Sequence, residues 1–386
     1  MEIRYITSEE AADFQKVSAA SFIWKFNAEI DSTVDVPVLA AFDNGKLIAG
    51  VEMYDFRSNY CGNILNAIVV SGVCCQPEYR RAGAVRKIFD KIGEIAAEND
   101  WTLGFLRPFS ISYYDKFGFA NLNRMFSIKV PFEKLDHIPR CTDVRLYTGE
   151  QFDTLSELHA KCAFTENLMT LREDKKHFCD TPLESADYTY IHRDKDGVAD
   201  GYVRFKVNRP ETLVVDELFI LSPEALTGLV GFLRNYDGIV KTLVVRKQYQ
   251  GSPFACLTDR IDGVIYDHDS GVAGRIYNIQ KLLENNDYPE AYGKFSVKIC
   301  DEVEQNNGIF EVEYKDKKAC VVKKDDGDYD ISLSAAAAAK LMLTGEGHTA
   351  QTAVYIDGVE INGNADDFFR AFPFRRTRFI DSSWLE

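Results

Sequence analysis

The stretch VCCQPEYRRAGAV at residues 73–85 joins a strand pattern, a loop and a helix pattern. It begins in an apolar run over residues 64–75, which is typical of a buried strand and ends at a Gln-Pro dipeptide. Residues 84–97 repeat apolar side chains at helical spacing, and Arg-Arg-Ala-Gly at 80–83 lies between the two. Because the first turn of a helix has unpaired amides and a partial positive charge, we expect this loop to hold an anion.

The composition of the loop indicates a phosphate group as that anion. Arg80 and Arg81 add positive charge, and Gly83 allows the backbone to approach a phosphate closely. The loop lacks the Gly-Lys-Ser/Thr sequence of a Walker loop, and it lacks the repeated glycines of the dinucleotide-binding fingerprint.

The elements around this stretch predict a mixed α/β sheet domain. Apolar runs at 38–42 and 47–53 flank an Asp-Asn-Gly turn and indicate a hairpin. A helix is expected after the capping-box pattern at residues 7–10, and a short strand is expected at 101–106. Strands and helices in this order are typical of an α/β fold.

The next segment repeats these patterns. The hairpin pattern recurs at 189–207, the strand followed by a proline at 213–223, and the short strand at 242–245. We interpret residues 146–280 as a diverged second copy, against the alternative that two α/β domains share these patterns by chance. This copy has no Arg-Arg-x-Gly after its proline.

Residues 281–386 differ in character and predict an α+β domain. Alternating strand patterns at 295–299, 310–314 and 329–333 are separated by Asn-Gly and Asp-Gly turns. A helix with five consecutive alanines is expected at 334–343. These alanines permit close approach of a neighbouring element or of a lipid-like ligand, or reflect helix propensity alone.

The overall composition excludes several classes of protein. The chain has 386 residues, of which 46% are hydrophobic, as in soluble proteins of two or three domains. Its net charge of −15 argues against nucleic-acid binding and favours a cationic ligand, or serves solubility alone. We expect no membrane span, no secretory signal and no metal site. Nine cysteines without a Cys-x-x-Cys pair indicate free thiols in a reducing cytoplasm.

The loop at residues 80–84 resembles the pyrophosphate-binding Arg/Gln-x-x-Gly-x-Gly/Ala pattern of the GNAT superfamily of N-acetyltransferases, with Val85 in place of the final small residue. The resemblance implies acetyl-CoA as cosubstrate, a pantetheine arm paired with the strand backbone, and a pyrophosphate held by the loop amides. The residues that it assigns to acetyl-CoA are Val73, Cys75, Arg80, Arg81, Gly83, Ala84 and Val85.

A second motif, SYYDKFGF at residues 112–119, resembles the superfamily segment Phe-Tyr-x-Lys-x-Gly-Phe. In that segment a tyrosine lies beside the thioester sulfur. Acetyl transfer to an amine needs a base for the nucleophile and an acid for the leaving thiolate. The resemblance implies Tyr114 as that acid, whereas the residues alone would also suit an aromatic core patch.

The order of the three segments resembles the enhanced intracellular survival (Eis) family over essentially the whole chain. The resemblance implies a catalytic GNAT domain at 1–145, a GNAT-like domain without the CoA loop at 146–280, and a sterol-carrier-protein-like α+β domain at 281–386. It also implies a hexamer and a C-terminal carboxylate that acts as the base. Here that group belongs to Glu386, whose side chain is an alternative base, and a tail without a catalytic role is the other interpretation. Members of the family typically end on an aromatic residue, whereas two residues follow Trp384 here.

The sequence therefore predicts a cytoplasmic acetyl-CoA-dependent N-acetyltransferase that acts by direct transfer on a primary amine of a small cationic molecule, aminoglycoside-like or polyamine-like. Phe22, Trp24 and Phe26 are candidates for cation–π contacts with the amine, and core or interface packing is the alternative. Two other functions stay open: acetylation of a protein lysine or N-terminus, and non-catalytic carriage of a lipid or acyl-CoA.

Overall fold

The α/β character predicted for the first two segments is confirmed, and a third sheet follows them. The computed structural model of the chain describes residues 1–28, 31–122, 124–173, 187–249, 251–269 and 271–378. No helix in these ranges combines the length and hydropathy needed to cross a bilayer.

The first segment alternates strands and helices. Its elements are β1 (Glu2–Tyr5), α1 (Ala11–Phe22), β2 (Val38–Asp43), β3 (Lys46–Tyr60), β4 (Asn63–Cys75), α2 (Ala84–Glu98), β5 (Leu103–Leu106), α3 (Ile111–Asp115) and β6 (Ala120–Asn121). The predicted hairpin, buried strand and amphipathic helix are β2–β3, β4 and α2.

The second segment repeats this alternation. Its elements are β7 (Met125–Pro131), β8 (Val144–Leu146), α4 (Phe152–Ala163), β9 (Asp187–Arg193), β10 (Ala199–Asn208), β11 (Thr212–Ile220), α5 (Pro223–Leu233), β12 (Thr242–Gln248), α6 (Pro253–Thr258) and β13 (Ile265–Asp269).

The third segment is mainly antiparallel, with helices between its strands. Its elements are β14 (Ala273–Ile276), α7 (Ile279–Glu284), β15 (Gly293–Cys300), β16 (Gly308–Lys315), β17 (Lys318–Lys324), β18 (Ile331–Ser334), α8 (Ala335–Leu343), α9 (Ala350–Ala353), β19 (Val359–Ile361) and α10 (Asp366–Ala371).

The strands form three sheets, and two strands join sheets away from their neighbours in sequence. The strand orders are β1-β2-β3-β4-β5-β14-β6, β13-β7-β12-β11-β10-β9-β8 and β17-β16-β15-β18-β19. Thus β14 follows the second segment but pairs with β5 and β6, whereas β7 follows the first segment but pairs with β12 and β13.

This exchange gives compact units that are not continuous in sequence. One unit holds residues 1–122 and 272–376, and the other holds the described residues of 123–271 with Thr377 and Arg378. The expected segments 1–145, 146–280 and 281–386 differ from this division. The reason is physical, because an alternating pattern determines which face of a strand is buried but not which strand lies beside it.

In the first unit, α1 and α2 cover opposite faces of the sheet. Ile88 and Ile92 of α2 pack on Val51 and other apolar residues of β3 and β4. On the other face, a Cβ atom at Gly50 would lie 2.9 Å from the Phe14 ring of α1, so the glycine allows that contact.

The alanine run of α8 contacts protein elements of the same unit. Residues 336–339 are buried, and α8 packs against β14, β6 and β18. A Cβ atom at Gly118 would lie 2.8 Å from Ala335 Cβ. These contacts agree with the interpretation that the alanines allow neighbouring elements to approach closely.

Candidate active site

The sheet of the first unit splits where β4 separates from β5. Their parallel pairing ends at Val69 and Phe105, whereas β4 continues to Cys75. On its other side β4 stays paired with β3, but an extra residue near Gly72 forms a β-bulge, and Gly72 has φ +57°. One wall of the resulting cleft is therefore the backbone of residues 70–75, which pairs on that side with no strand of the described residues.

Cys75 directs its backbone polar groups away from β3. The Gln76 N–H donates to the Ile48 carbonyl on β3 at 2.8 Å, so the adjacent Cys75 faces the opposite direction. There the Cys75 N–H donates to Ser21 Oγ at 3.0 Å, and Ser21 Oγ lies 3.1 Å from the Cys75 carbonyl oxygen. Val73 borders the same cleft two residues earlier. Ser21 thus already bonds backbone groups that the family resemblance assigned to pantetheine.

The loop after β4 presents unpaired amide groups at the start of α2. Arg81 has φ +67° and Gly83 has φ +86°, and Gly83 precedes α2 without any side-chain cap. The amides of Ala84 and Val85 have no acceptor inside the helix. A Cβ atom at Gly83 would meet no atom of the described residues within 4 Å, so the backbone here has room on its outer side. This geometry suits an anion.

Charge in the loop comes from two exposed guanidinium groups. Arg80 and Arg81 form no ion pair with a carboxylate in the part of the chain that the structure describes. Burial raises the pKa of the Cys75 thiol, and the charge of Arg80 opposes that effect. Val85 packs against the hydrophobic core, so its departure from the family pattern leaves the outer face of the loop unobstructed.

Tyr114 lies on α3 within an aromatic cluster. Its ring is 3% exposed and makes edge contacts with Phe89, Phe109 and Tyr113, at centroid distances of 6.1, 5.6 and 5.1 Å. Its hydroxyl has no hydrogen-bond partner among the described residues, yet it is not one of the fully buried polar atoms. The hydroxyl therefore reaches accessible space. Burial raises the pKa of Tyr114 well above its ordinary value, so the phenol keeps its proton.

Sequence reasoning missed one carboxylate beside the bulge. Glu52 on β3 lies opposite Ser71, and its Oε2 accepts a hydrogen bond from the Tyr54 hydroxyl at 3.0 Å. The side chain is half-buried, and this burial raises the pKa of Glu52 while the bond from Tyr54 lowers it. Strand alternation marks Glu52 as the polar position between the core residues Val51 and Met53, which is the only signal for it in the sequence.

The other predicted site residues are placed differently. Phe22 and Trp24 are exposed, at 54% and 37%, near the end of α1 that carries Ser21. The Phe26 ring lies 5.8 Å from the ammonium of Lys16, so a cation of the protein itself is its neighbour. Glu386 lies outside the described residues.

In the second unit, as in the first, a bulged strand separates from its parallel neighbour and is followed by a helix. The groups at the separation and at the helix start are different. Here β11 has an extra residue at Asp216, and its pairing with β12 ends at Val215 and Val245. One residue beyond that last pair, Asp216 and Arg246 form an ion pair at 2.9 Å. The helix α5 follows directly, and its first turn is capped by Ser222, whose Oγ accepts from the Ala225 N–H at 2.9 Å.

Buried charges also occupy the second unit. The Arg172 guanidinium donates to both carboxylate oxygens of Glu217, at 2.7 and 3.1 Å, and both side chains are 1% exposed. The Tyr202 hydroxyl donates to Glu217 at 3.1 Å and lies 3.0 Å from His159 Nδ1. Burial is the main cause that lowers the pKa of His159 to about 3, so its imidazole is neutral.

The residues that the structure describes contain no group of three or more His, Cys, Asp or Glu side chains arranged to hold a metal ion. The donors at the first cleft are instead backbone amides, guanidinium groups and hydroxyls, and these suit a phosphorylated ligand with an extended amide-containing arm.

Two family profiles, each described as an acetyltransferase (GNAT) domain, match residues 2–121 and 169–276. No curated protein sequence matches the chain.

Several solved structures share the fold over nearly the whole chain. The "probable N-acyltransferase" from Enterococcus faecalis V583 has a TM-score of 0.86 at 18% identity, covering 98% of this chain and 99% of that one. A GCN5-related N-acetyltransferase from Anabaena variabilis has a TM-score of 0.80 at 16% identity, covering 98% and 100%. Eis1 from Mycobacterium abscessus has a TM-score of 0.76 at 18% identity, covering 98% and 97%.

Proposed function

This chain is an acetyltransferase with two GNAT domains, and we propose that it transfers the acetyl group of acetyl-CoA directly to a primary amine of a small cationic molecule. We place the reaction in the first domain. The net charge of −15 would draw such a cation toward the protein, and aminoglycosides and polyamines have this chemistry.

The observation that carries the proposal is the continuity of the open strand edge with the uncapped helix. The backbone of β4 between Val70 and Cys75 can bond an extended amide chain as an added strand would, with the Ser21 hydroxyl displaced from Cys75. The amides at Ala84 and Val85 then lie where the pyrophosphate of that chain would follow. Arg80 and Arg81 add charge-assisted donors.

In this proposal Tyr114 is the general acid. Its buried ring has a fixed position, its hydroxyl reaches accessible space, and its raised pKa keeps the proton available for the leaving thiolate. The terminal carboxylate of Glu386 is the base implied by the Eis resemblance. The same resemblance supports the cytoplasmic hexamer, the sterol-carrier-like third domain, and a second domain without a CoA loop.

Calorimetric titration with acetyl-CoA, combined with a CoA-release assay on aminoglycosides and polyamines, tests the function. We expect saturable binding and turnover with at least one cationic amine. A variant that lacks Leu385 and Glu386 tests the chain end, because turnover that collapses on truncation supports the carboxylate of Glu386 as base. Absence of both binding and turnover in the intact chain would refute the proposed function.

A further inference from the structure

Glu52 is a half-buried carboxylate without a cationic partner. Its one hydrogen bond comes from Tyr54, and it forms no ion pair with any Lys, Arg or His of the described residues. The titratable groups beside it are Tyr54 on β3 and Cys74 on β4, and the β2 residue paired with it is the apolar Val38. A half-buried carboxylate normally acquires a positive partner, because burial disfavours an isolated charge.

The carboxylate lies directly at the bulge of β4. A Cβ atom at Gly72 would be 3.1 Å from the Glu52 carboxyl carbon, so the glycine leaves room for this side chain. The bulge is also where β4 has separated from β5. Glu52 therefore lies beside the part of β4 at which the cleft opens.

Glu52 and Tyr114 lie on opposite faces of the sheet. Val51 and Met53 pack in the core cluster that also contains Tyr114. Because successive side chains of a strand point to opposite faces, Glu52 points to the other face, the one covered by α1. The pairing of β4 with β5 ends at this level, with a proton donor on one face of the sheet and a proton acceptor on the other.

We propose that Glu52 binds the ammonium group of the acceptor and takes its proton. The ammonium ion is the positive partner that the carboxylate lacks, and the neutral amine left after proton transfer has the lone pair that the reaction needs. This inference rests on the proposed acetyl transfer, and it assigns to Glu52 the base role that the family resemblance gives to the terminal carboxylate of Glu386.

The ammonium gives one proton to Glu52, and its nitrogen then forms a bond to the acetyl carbonyl carbon. The carbon–sulfur bond breaks, its electron pair stays on sulfur, and the sulfur takes the proton of the Tyr114 hydroxyl. The nitrogen loses its second excess proton to the Tyr114 oxygen, and Glu52 releases its proton to water. The products are the amide, free CoA and one proton.

The test compares Glu52→Gln with Asp55→Asn in the full chain. Both substitutions remove one negative charge from β3, but Asp55 is exposed and lies away from the bulge. We expect Glu52→Gln to lower kcat/KM for spermidine by about 10²-fold or more while the Kd for acetyl-CoA changes less than twofold. Asp55→Asn should match the wild type in both measurements.

The dependence of kcat/KM on pH distinguishes a catalytic role of Glu52 from a purely structural one. Wild-type kcat/KM should fall on the acidic side as Glu52 becomes protonated, and Glu52→Gln should lack this decline. Tyr54→Phe removes the bond that lowers the pKa of Glu52, so the decline should move to higher pH.

The outcomes separate the two proposals. Acetyl-CoA binding and amine turnover in the wild type, with an unchanged profile in Glu52→Gln, would overturn the role of Glu52 alone. Loss of the acidic decline on removal of Leu385 and Glu386, but not in Glu52→Gln, would assign the proton acceptor to the chain end. If Glu52→Gln lowered both the melting temperature and the acetyl-CoA affinity, the loss of activity would reflect damage to the fold. That result would also overturn the role of Glu52. A wild type without binding or turnover would refute the proposed function itself.

Discussion

Substitution of Gly83 by alanine tests whether the loop before α2 holds the phosphates of acetyl-CoA. Gly83 has φ +86°, and a Cβ atom there would lie more than 4 Å from every atom of the part of the chain that the structure describes. The substitution therefore causes no collision with the residues that the structure describes. It does place a methyl group in the space where the amides of Ala84 and Val85 would meet a phosphate.

The structure separates the cost in stability from the cost in binding. A left-handed conformation costs a residue with a Cβ atom about 1–2 kcal/mol, which lowers the melting temperature by roughly 2–8 °C. A hydrogen bond to a charged group contributes about 1.5–3 kcal/mol. Loss of one amide–phosphate bond should thus weaken acetyl-CoA binding by about 10- to 150-fold, since about 1.4 kcal/mol corresponds to tenfold.

Gly62→Ala is the matched control. Gly62 lies in the β3–β4 turn with φ +87°, and a Cβ atom there also meets nothing within 4 Å. Thermal unfolding and calorimetry of both variants should show similar losses of melting temperature, with weaker acetyl-CoA binding in Gly83→Ala alone. Wild-type affinity in Gly83→Ala, with the same loss of stability as the control, would refute the assignment of the loop.

Three further predictions concern the cleft and the second domain. Tyr114→Phe should lower kcat by about 10²-fold or more with an unchanged Kd for acetyl-CoA, and wild-type activity should persist to pH 10 because the pKa of Tyr114 is raised above that value; full kcat in the variant would exclude the acid role. Ser21→Ala should tighten acetyl-CoA binding severalfold in calorimetry, because it frees the backbone of Cys75, and weaker binding would contradict this reasoning. Arg172→Met should lower the free energy of unfolding by about 1.5–3 kcal/mol in denaturant titration, because Glu217 loses both hydrogen bonds from Arg172 and keeps Arg204, at 3.7 Å, as a cationic partner. A loss below about 1 kcal/mol would show that Glu217 is otherwise compensated.

The local elements of the first domain were predictable because each has its own sequence signal. The Asp-Asn-Gly turn places the hairpin, and the helical spacing of Ile88 and Ile92 places α2 within a residue or two of its observed ends. The profile matches also confirm that the second segment repeats the first as a GNAT domain.

The strand exchange was not predictable in the same way. The strand β14 contains Gly274 and Arg275, and β7 follows directly after the first segment. Neither strand sequence predicts which sheet the strand joins. The choice depends on long-range pairing, such as that of Arg275 with Gly104 on β5. A glycine is needed at that position of β5, because a Cβ atom there would lie 2.4 Å from the Tyr277 ring.

The candidate site was predictable only in part, for a related reason. The loop and Tyr114 belong to contiguous motifs, whereas Glu52 gains its meaning from a bulge on the neighbouring strand. A carboxylate at one position of an apolar strand carries no signal by itself. It becomes informative only when Gly72, twenty residues away in sequence, is seen to lie beside it.

The two GNAT domains share a strand frame but differ in the groups that end it. Both have a bulge at the strand that separates from its parallel neighbour. In the first domain that edge continues into an uncapped helix at Gly83, so backbone donors remain available. In the second, Asp216 and Arg246 bridge the split and Ser222 caps the following helix. We infer that the second domain satisfies internally the polar groups that correspond to those which, in the proposed function, the first domain offers to acetyl-CoA.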